Sequence, residues 1–159
     1  MATEAWVCSV SGVAANGNAK QLYPAFAAAG VAKSGSTLGQ LLRGPIQGAL
    51  HSIQVRSDGA NAGVIEIYDI NGEEWGADVS SGTTITDAQL DAAIAAGQAK
   101  LLFIQDVPTT SGTGVVTAPG IYRTFLKGLA ARFVAAAGSC TVNLVVSGGH
   151  RRTVSLGGY

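Results

Sequence analysis

Charge is what this sequence has least of. Asp, Glu, Lys and Arg supply only 13% of its 159 residues, about half the usual share of a soluble domain. Ten basic and ten acidic side chains cancel to zero net charge, which argues against nucleic acid as a partner, because such binding rests on Lys and Arg neutralising phosphates. The one basic cluster, His150-Arg151-Arg152, is short and suits a solvated tail or a salt bridge to a partner. Cys8 and Cys140 are the only cysteines. Their spacing leaves a disulfide open, although Cys140 sits in an alternating pattern where a free thiol serves as a small hydrophobe. No apolar run reaches the roughly 18 residues of a membrane helix, so no membrane contact is expected. The first residues lack a basic start and a long apolar stretch, so synthesis in the cytoplasm is expected.

Reactive signatures are missing as well. There is no nucleophile elbow, no zinc-protease helix, no phosphate loop and no Cys/His set at zinc spacing. His51 and His150 are the only histidines. A catalytic base needs a nucleophile or an orienting carboxylate in reach, and His51, beside Ile53, reads as a core or rim histidine. Asp69, Asn71 and Glu73 alternate like calcium ligands. Counted from Asp69, however, the sixth residue is Glu74 rather than Gly and the twelfth is Ser80 rather than Glu, so the loop pattern fails. Neither an enzyme nor a cofactor is expected.

What the chain does have is alternation. In residues 50–59 His51, Ile53 and Val55 share one face, and in residues 64–69 Ile65 and Ile67 oppose Glu66 and Tyr68. Asp58, Gly59, Asn61 and Gly63 between them read as a turn, hence a hairpin. Trp6 to Val10 suggests a short strand, residues 37–42 another, and residues 100–107 a nearly continuous apolar strand buried on both faces or under the helix. Residues 115–119 suggest one more. Residues 121–134 are read as strand because Leu129, Ala131 and Phe133 alternate, with residues 139–146 answering as their hairpin partner. One helix is expected at about residues 86–97, with Thr86 and Gln89 as a capping box, Leu90 and Ile94 on its buried face, and Gly97 as its stop. The sum is a mainly β chain, an antiparallel, jelly-roll-like β-sandwich with one short inserted helix. The expected core is Ile53, Val55, Ile65, Ile67, Leu101, Phe103, Leu129, Phe133, Val142 and Leu144. The expected organisation is an N-terminal segment or arm (1–36), a sandwich domain (37–147) and a C-terminal tail (148–159).

A chain 47% hydrophobic and poor in charge has a surface weakly protected against association, which suits a component of an assembly. Trp6, Tyr23 and Phe26 in the N-terminal segment, with Arg151 and Arg152 in the tail, are the candidate partner contacts.

One resemblance sharpens this. Gly44-Pro45, residues 48–59 and residues 63–69 resemble small structural proteins of tailed-bacteriophage heads, and residues 127–134 and 140–146 are similar to their closing hairpin. The resemblance covers residues 37–147 or so, in strands and glycines. It implies a capsid cement (decoration) protein, a viral structural protein sitting on the outer head surface of the virion. The implied partners are the major capsid protein and its own copies, as homo-dimer or homo-trimer. Two other readings stand beside it. A glycan-binding or host-adhesion module would use Trp75 beside Glu73, Glu74 and Asp78, and a tail or connector component would form rings.

Overall fold

The computed structural model describes residues 3–23, 48–57, 62–70, 84–107, 115–136 and 141–151. In order, these form β1 (Thr3–Ala14), β2 (Ala19–Tyr23), β3 (Gly48–Ser57), β4 (Gly63–Asp69), β5 (Thr84–Ile85), α1 (Asp87–Ala95), β6 (Lys100–Val107), β7 (Val115–Ala118), β8 (Arg123–Phe125), β9 (Leu129–Ala135) and β10 (Thr141–Arg151). One sheet runs β1-β10-β3, with β7 and β8 successively along the far side of β3; the other runs β5-β2-β9-β4-β6. Every pairing between these strands is antiparallel, and a single parallel bridge joins Ala15 to Phe133. With β7 and β8 taken as one broken strand, and the two-residue β5 set aside, the order is that of a jelly roll.

In this winding most connections cross from one sheet to the other. The hairpin expected over residues 50–69 is therefore absent: β3 pairs with β10, β7 and β8, whereas β4 pairs with β6 and β9. β9 and β10 likewise lie in opposite sheets. Alternation reports which face of a strand is buried, and an arch between two sheets leaves the same signature as a hairpin within one.

The inner faces close on Ile53, Val55, Val142, Leu144 and Val146 from one sheet and Ile65, Ile67, Leu129, Ala131 and Phe133 from the other, with Leu22, Leu50 and Phe125. Two expected core residues depart from this. Leu101 is 43% exposed, and Phe103 is only partly buried against the core. β6 is a rim strand rather than one covered on both faces, and it carries a bulge: Phe103 pairs with Ile67 and Leu101 with Tyr68, leaving Leu102 extra. The bulge turns Leu101 to the outer face. A second bulge explains His51. Ser52 pairs with Ser147 and Leu50 with Gly148, so the fully buried Leu50 takes the inward place and His51 is half-buried.

The N-terminal boundary also moves. β1 pairs with β10 from Thr3 to Ala14, and β2 lies between β5 and β9, so residues 3–23 are strands of the sandwich and not a separate arm. β10 continues to Arg151, which takes residues 148–151 out of the expected tail. Residues 24–36 and the strand expected at 37–42 lie outside the described residues.

The helix matches its capping signal. The Thr86 hydroxyl accepts from the Gln89 amide at 3.2 Å, and the Thr86 amide donates to Gln89 Oε1 at 2.8 Å. Its buried side is Leu90 and Ala93 rather than Leu90 and Ile94, the latter being 37% exposed. Leu90 and Ala93 join Ala19, Tyr68, Ile70, Ile85, Ala99 and Ala130 in a second core on the outer face of the β2-β9-β4 sheet.

Gly63, at the start of β4, is a point of close approach. A Cβ there would run into the Val134 carbonyl oxygen and lie 2.7 Å from the Phe133 ring. Gly63→Ala is expected to cost about 1–3 kcal/mol through overpacking, read as a lower midpoint in urea unfolding; an unchanged midpoint would refute the close packing.

Candidate functional site

The outer face of the second sheet carries most of the described charge chemistry. Three rows cross β9, β4 and β6 there: Ala130, Tyr68 and Leu101; Arg132, Glu66 and Ile104; Val134, Val64 and Asp106. Arg132 is the centre, its side chain only 15% exposed. Its Nε donates to Glu66 Oε2 at 3.1 Å, and one guanidinium nitrogen donates to Asp91 at 2.7 Å and Asp87 at 3.2 Å. The other donates to the Tyr68 hydroxyl at 3.2 Å, which in turn donates to Glu66 Oε2 at 2.8 Å. The guanidinium carbon lies 5.6 Å from the Tyr68 ring centre. Asp87 and Asp91, at i and i+4, belong to the first turns of α1, so the network ties the helix to the sheet.

Burial opposes the Arg132 charge, but the bonds to Asp91, Glu66 and Asp87 and the neighbouring Tyr68 outweigh it and hold its pKa above the ordinary arginine value. Burial, then the hydrogen bond and charge of Glu66, push the Tyr68 hydroxyl up to about 12. Glu66, Asp87 and Asp91 are thus engaged in holding the fold.

Asp69 is occupied in a similar way. Buried at the end of β4, its carboxylate accepts from the Leu126, Lys127 and Gly128 amides at 2.8, 2.9 and 3.3 Å. It clamps the turn between β8 and β9 instead of opening a calcium loop. Asn71 and Glu73 lie outside the described residues. Among the described residues no three His, Cys, Asp or Glu side chains are grouped to hold a metal ion.

Apolar side chains remain on the exterior. Leu101 and Ile104, the latter 49% exposed, stand on β6, and Val134, Leu126 and Val145 are exposed elsewhere. At the β7–β8 connection Tyr122 is 71% exposed with a positive φ of 48°, a strained backbone for an aromatic residue. The Ile121 amide donates to the His51 carbonyl at 2.9 Å, and the rings of His51 and Tyr122 meet at 5.1 Å.

Of the sequence candidates, Trp6 lies on β1 opposite Gly148, and Arg151 ends β10 opposite Thr3. The two therefore share one margin of the first sheet. Tyr23 lies in the other sheet, opposite Leu129. Phe26, Trp75 and Arg152 lie outside the described residues, as does Cys140; Cys8 pairs with Val146 on β10. Sequence reasoning missed the Arg132 network. Its trace was an arginine inside the apolar run 129–134, with an i, i+4 aspartate pair on the one helix.

Replacing Arg132 with Met is expected to cost about 2–4 kcal/mol, since Glu66 is left buried without its counter-charge. Asp91→Asn, at an exposed partner, should cost less than about 1 kcal/mol; urea unfolding of both variants measures the contrast. The Tyr68 shift predicts a pH effect. Because the folded state holds this proton more tightly than the unfolded chain, its contribution is complete below about pH 10 and is lost as pH rises towards 12. Tyr68→Phe should flatten the stability curve across that window relative to the parent, and identical slopes would refute the assignment.

No family model matches the chain, and no curated protein matches it. Among solved structures, the IMPa metallopeptidase from Pseudomonas aeruginosa aligns with 92% of this chain at 10% identity and a TM-score of 0.27. This chain spans 12% of the length of that one, and a likeness so slight carries no argument about activity.

Proposed function

We propose that this chain is a structural virion protein of the cement kind, a jelly-roll body that binds the outer surface of a bacteriophage head and bridges its shell subunits. One observation carries the reading. β1 and β10 pair along their lengths, so the end of β1 that holds Trp6 and the end of β10 that holds Arg151 form one margin of the sandwich, with the two residues at positions of opposite face. An aromatic residue and an arginine are the side chains that most often dominate protein–protein contacts. The chain as a whole is apolar and poor in charge, as suits a contact that works by buried area. A standard interface covers about 1,600 Å² in total, and many copies on one shell add avidity without stronger single contacts. The partner of this margin is the major capsid protein.

The test is co-sedimentation of the purified chain with expanded, undecorated head shells from the same source. Saturable occupancy is expected, and Arg151→Ala should weaken it at least about tenfold while the thermal midpoint stays near the parent's. Absence of binding to such shells would overturn the reading.

A further inference from the structure

We infer that Asn16-Gly17 is a modification site held shut by the fold, where closure to a succinimide converts the asparagine to aspartate or isoaspartate and unfastens the crossing from β1 to β2. The inference is independent of shell binding. Asparagine is among the chemically labile residues. It is most so before glycine, whose missing side chain lets its backbone nitrogen reach the asparagine side chain. The pair occurs twice, at residues 16–17 and 71–72, the second lying outside the described residues. At the first, Asn16 is exposed to water and sits where the chain passes from one sheet to the other.

The reaction needs no partner but water. The Gly17 nitrogen gives up its proton and attacks Asn16 Cγ; the N–Cγ bond forms, the Cγ–Nδ2 bond breaks, and Nδ2 leaves as ammonia with that proton. Water then opens the ring at either carbonyl, with nothing oxidised or reduced. In the folded chain both reacting groups are engaged elsewhere. The Gly17 amide donates to the Ala14 carbonyl at 3.2 Å, which keeps the nucleophile protonated. Asn16 Nδ2 donates to the Ala135 carbonyl at 2.8 Å and Oδ1 accepts from the Ala135 amide at 3.0 Å, so the carbon under attack is held against β9 by both its polar atoms. The Asn16 amide donates to the Phe133 carbonyl at 2.8 Å, and Ala15 bridges to the same residue. Closure therefore waits for the crossing to open locally. The same geometry says what the product does. Ala135 presents one donor and one acceptor, and a primary amide answers both. A carboxylate only accepts, so aspartate keeps the bond from the Ala135 amide, loses the one to the carbonyl and sets two oxygens against each other. Isoaspartate adds a methylene to the main chain and shifts the pairing with Phe133 as well. Aspartate tolerates the φ of 52° much as asparagine does, so the conversion to aspartate acts through the side chain and not through backbone strain.

The test is peptide mapping by mass spectrometry of the full chain held at mildly alkaline pH, folded and in urea. Conversion at residue 16 is expected in urea, with both isomers formed, and should run at least about tenfold slower in the folded chain. Asn16→Asp, which supplies the aspartate product directly, should lower the thermal midpoint by about 2–4 °C and speed hydrogen exchange of the residue 16 amide. The rate comparison uses the unmodified chain, so it holds whether or not that variant folds. No conversion at residue 16 in urea, equal rates in the two states, or an Asn16→Asp chain with the parent's midpoint and exchange would each overturn the inference.

Discussion

The contact between the inner faces of the two sheets is the constraint that every other feature answers. Fully burying a large aliphatic or aromatic side chain stabilises the fold by about 1.5–3 kcal/mol, and a dozen such side chains, from Leu22 and Leu50 to Phe133 and Leu144, are shielded almost completely. A jelly roll demands that consecutive strands supply this face from opposite sides, so an alternation out of step with the pairing has to be corrected locally. The bulges at His51 and Leu102 make that correction, each spending one residue to return the following side chains to the inner face. The crossing from β1 to β2 is corrected with side-chain bonds. Asn16, at φ 52°, donates its amide to the Phe133 carbonyl, and its side chain both donates to the Ala135 carbonyl and accepts from the Ala135 amide. An asparagine thereby continues a strand ladder where the backbone turns away.

Against that apolar body, the few charges are placed where backbone or helix would otherwise be loose. α1 spans nine residues and buries only Leu90 and Ala93, too little to dock a helix of this length, which is marginal alone. Arg132 supplies the remainder from the sheet, through Asp87 and Asp91. Asp69 does for the turn at 126–128 what Asn16 does for the β1–β2 crossing, satisfying amides that no strand reaches. A chain with so little charge can meet these needs because Arg132 and Asp69 each bond several partners at once.

The elements themselves were legible in the sequence; their partnering was not. Thr86, Gln89 and Gly97 announce the helix through capping chemistry that acts within a few residues. Leu129, Ala131 and Phe133 announce β9 through period two. Both signals are local. Whether β3 pairs with β4 or arches over to the other sheet depends on contacts with β10 and β9, far along the chain, and period two is silent on that choice. Bulges are silent in the same way, which is why His51 read as inward and Leu101 as core. Trp6 and Arg151 were singled out separately, by residue type, and only the β1–β10 register sets them on one margin. The helix face was misread for a subtler reason: Leu90 and Ile94 fit an i, i+4 stripe, but Ala93 gives closer contact with Tyr68 and Ala130 because it is small.

A sandwich leaves rims, and how each is treated bears on how the body meets its neighbours. β5 ends its sheet after two residues, and the β7–β8 rim is broken between Ala118 and Arg123 by the strained turn that carries Tyr122. Both offer little to pair with. The two long rims are β1, twelve residues in one sheet, and β6, eight in the other. β1 packs near β2, while β6 packs near β7 and β8, so in the jelly-roll order these rims fall on opposite sides of the sandwich. Contact along either rim asks for apolar side chains rather than charge, which is the balance this composition strikes.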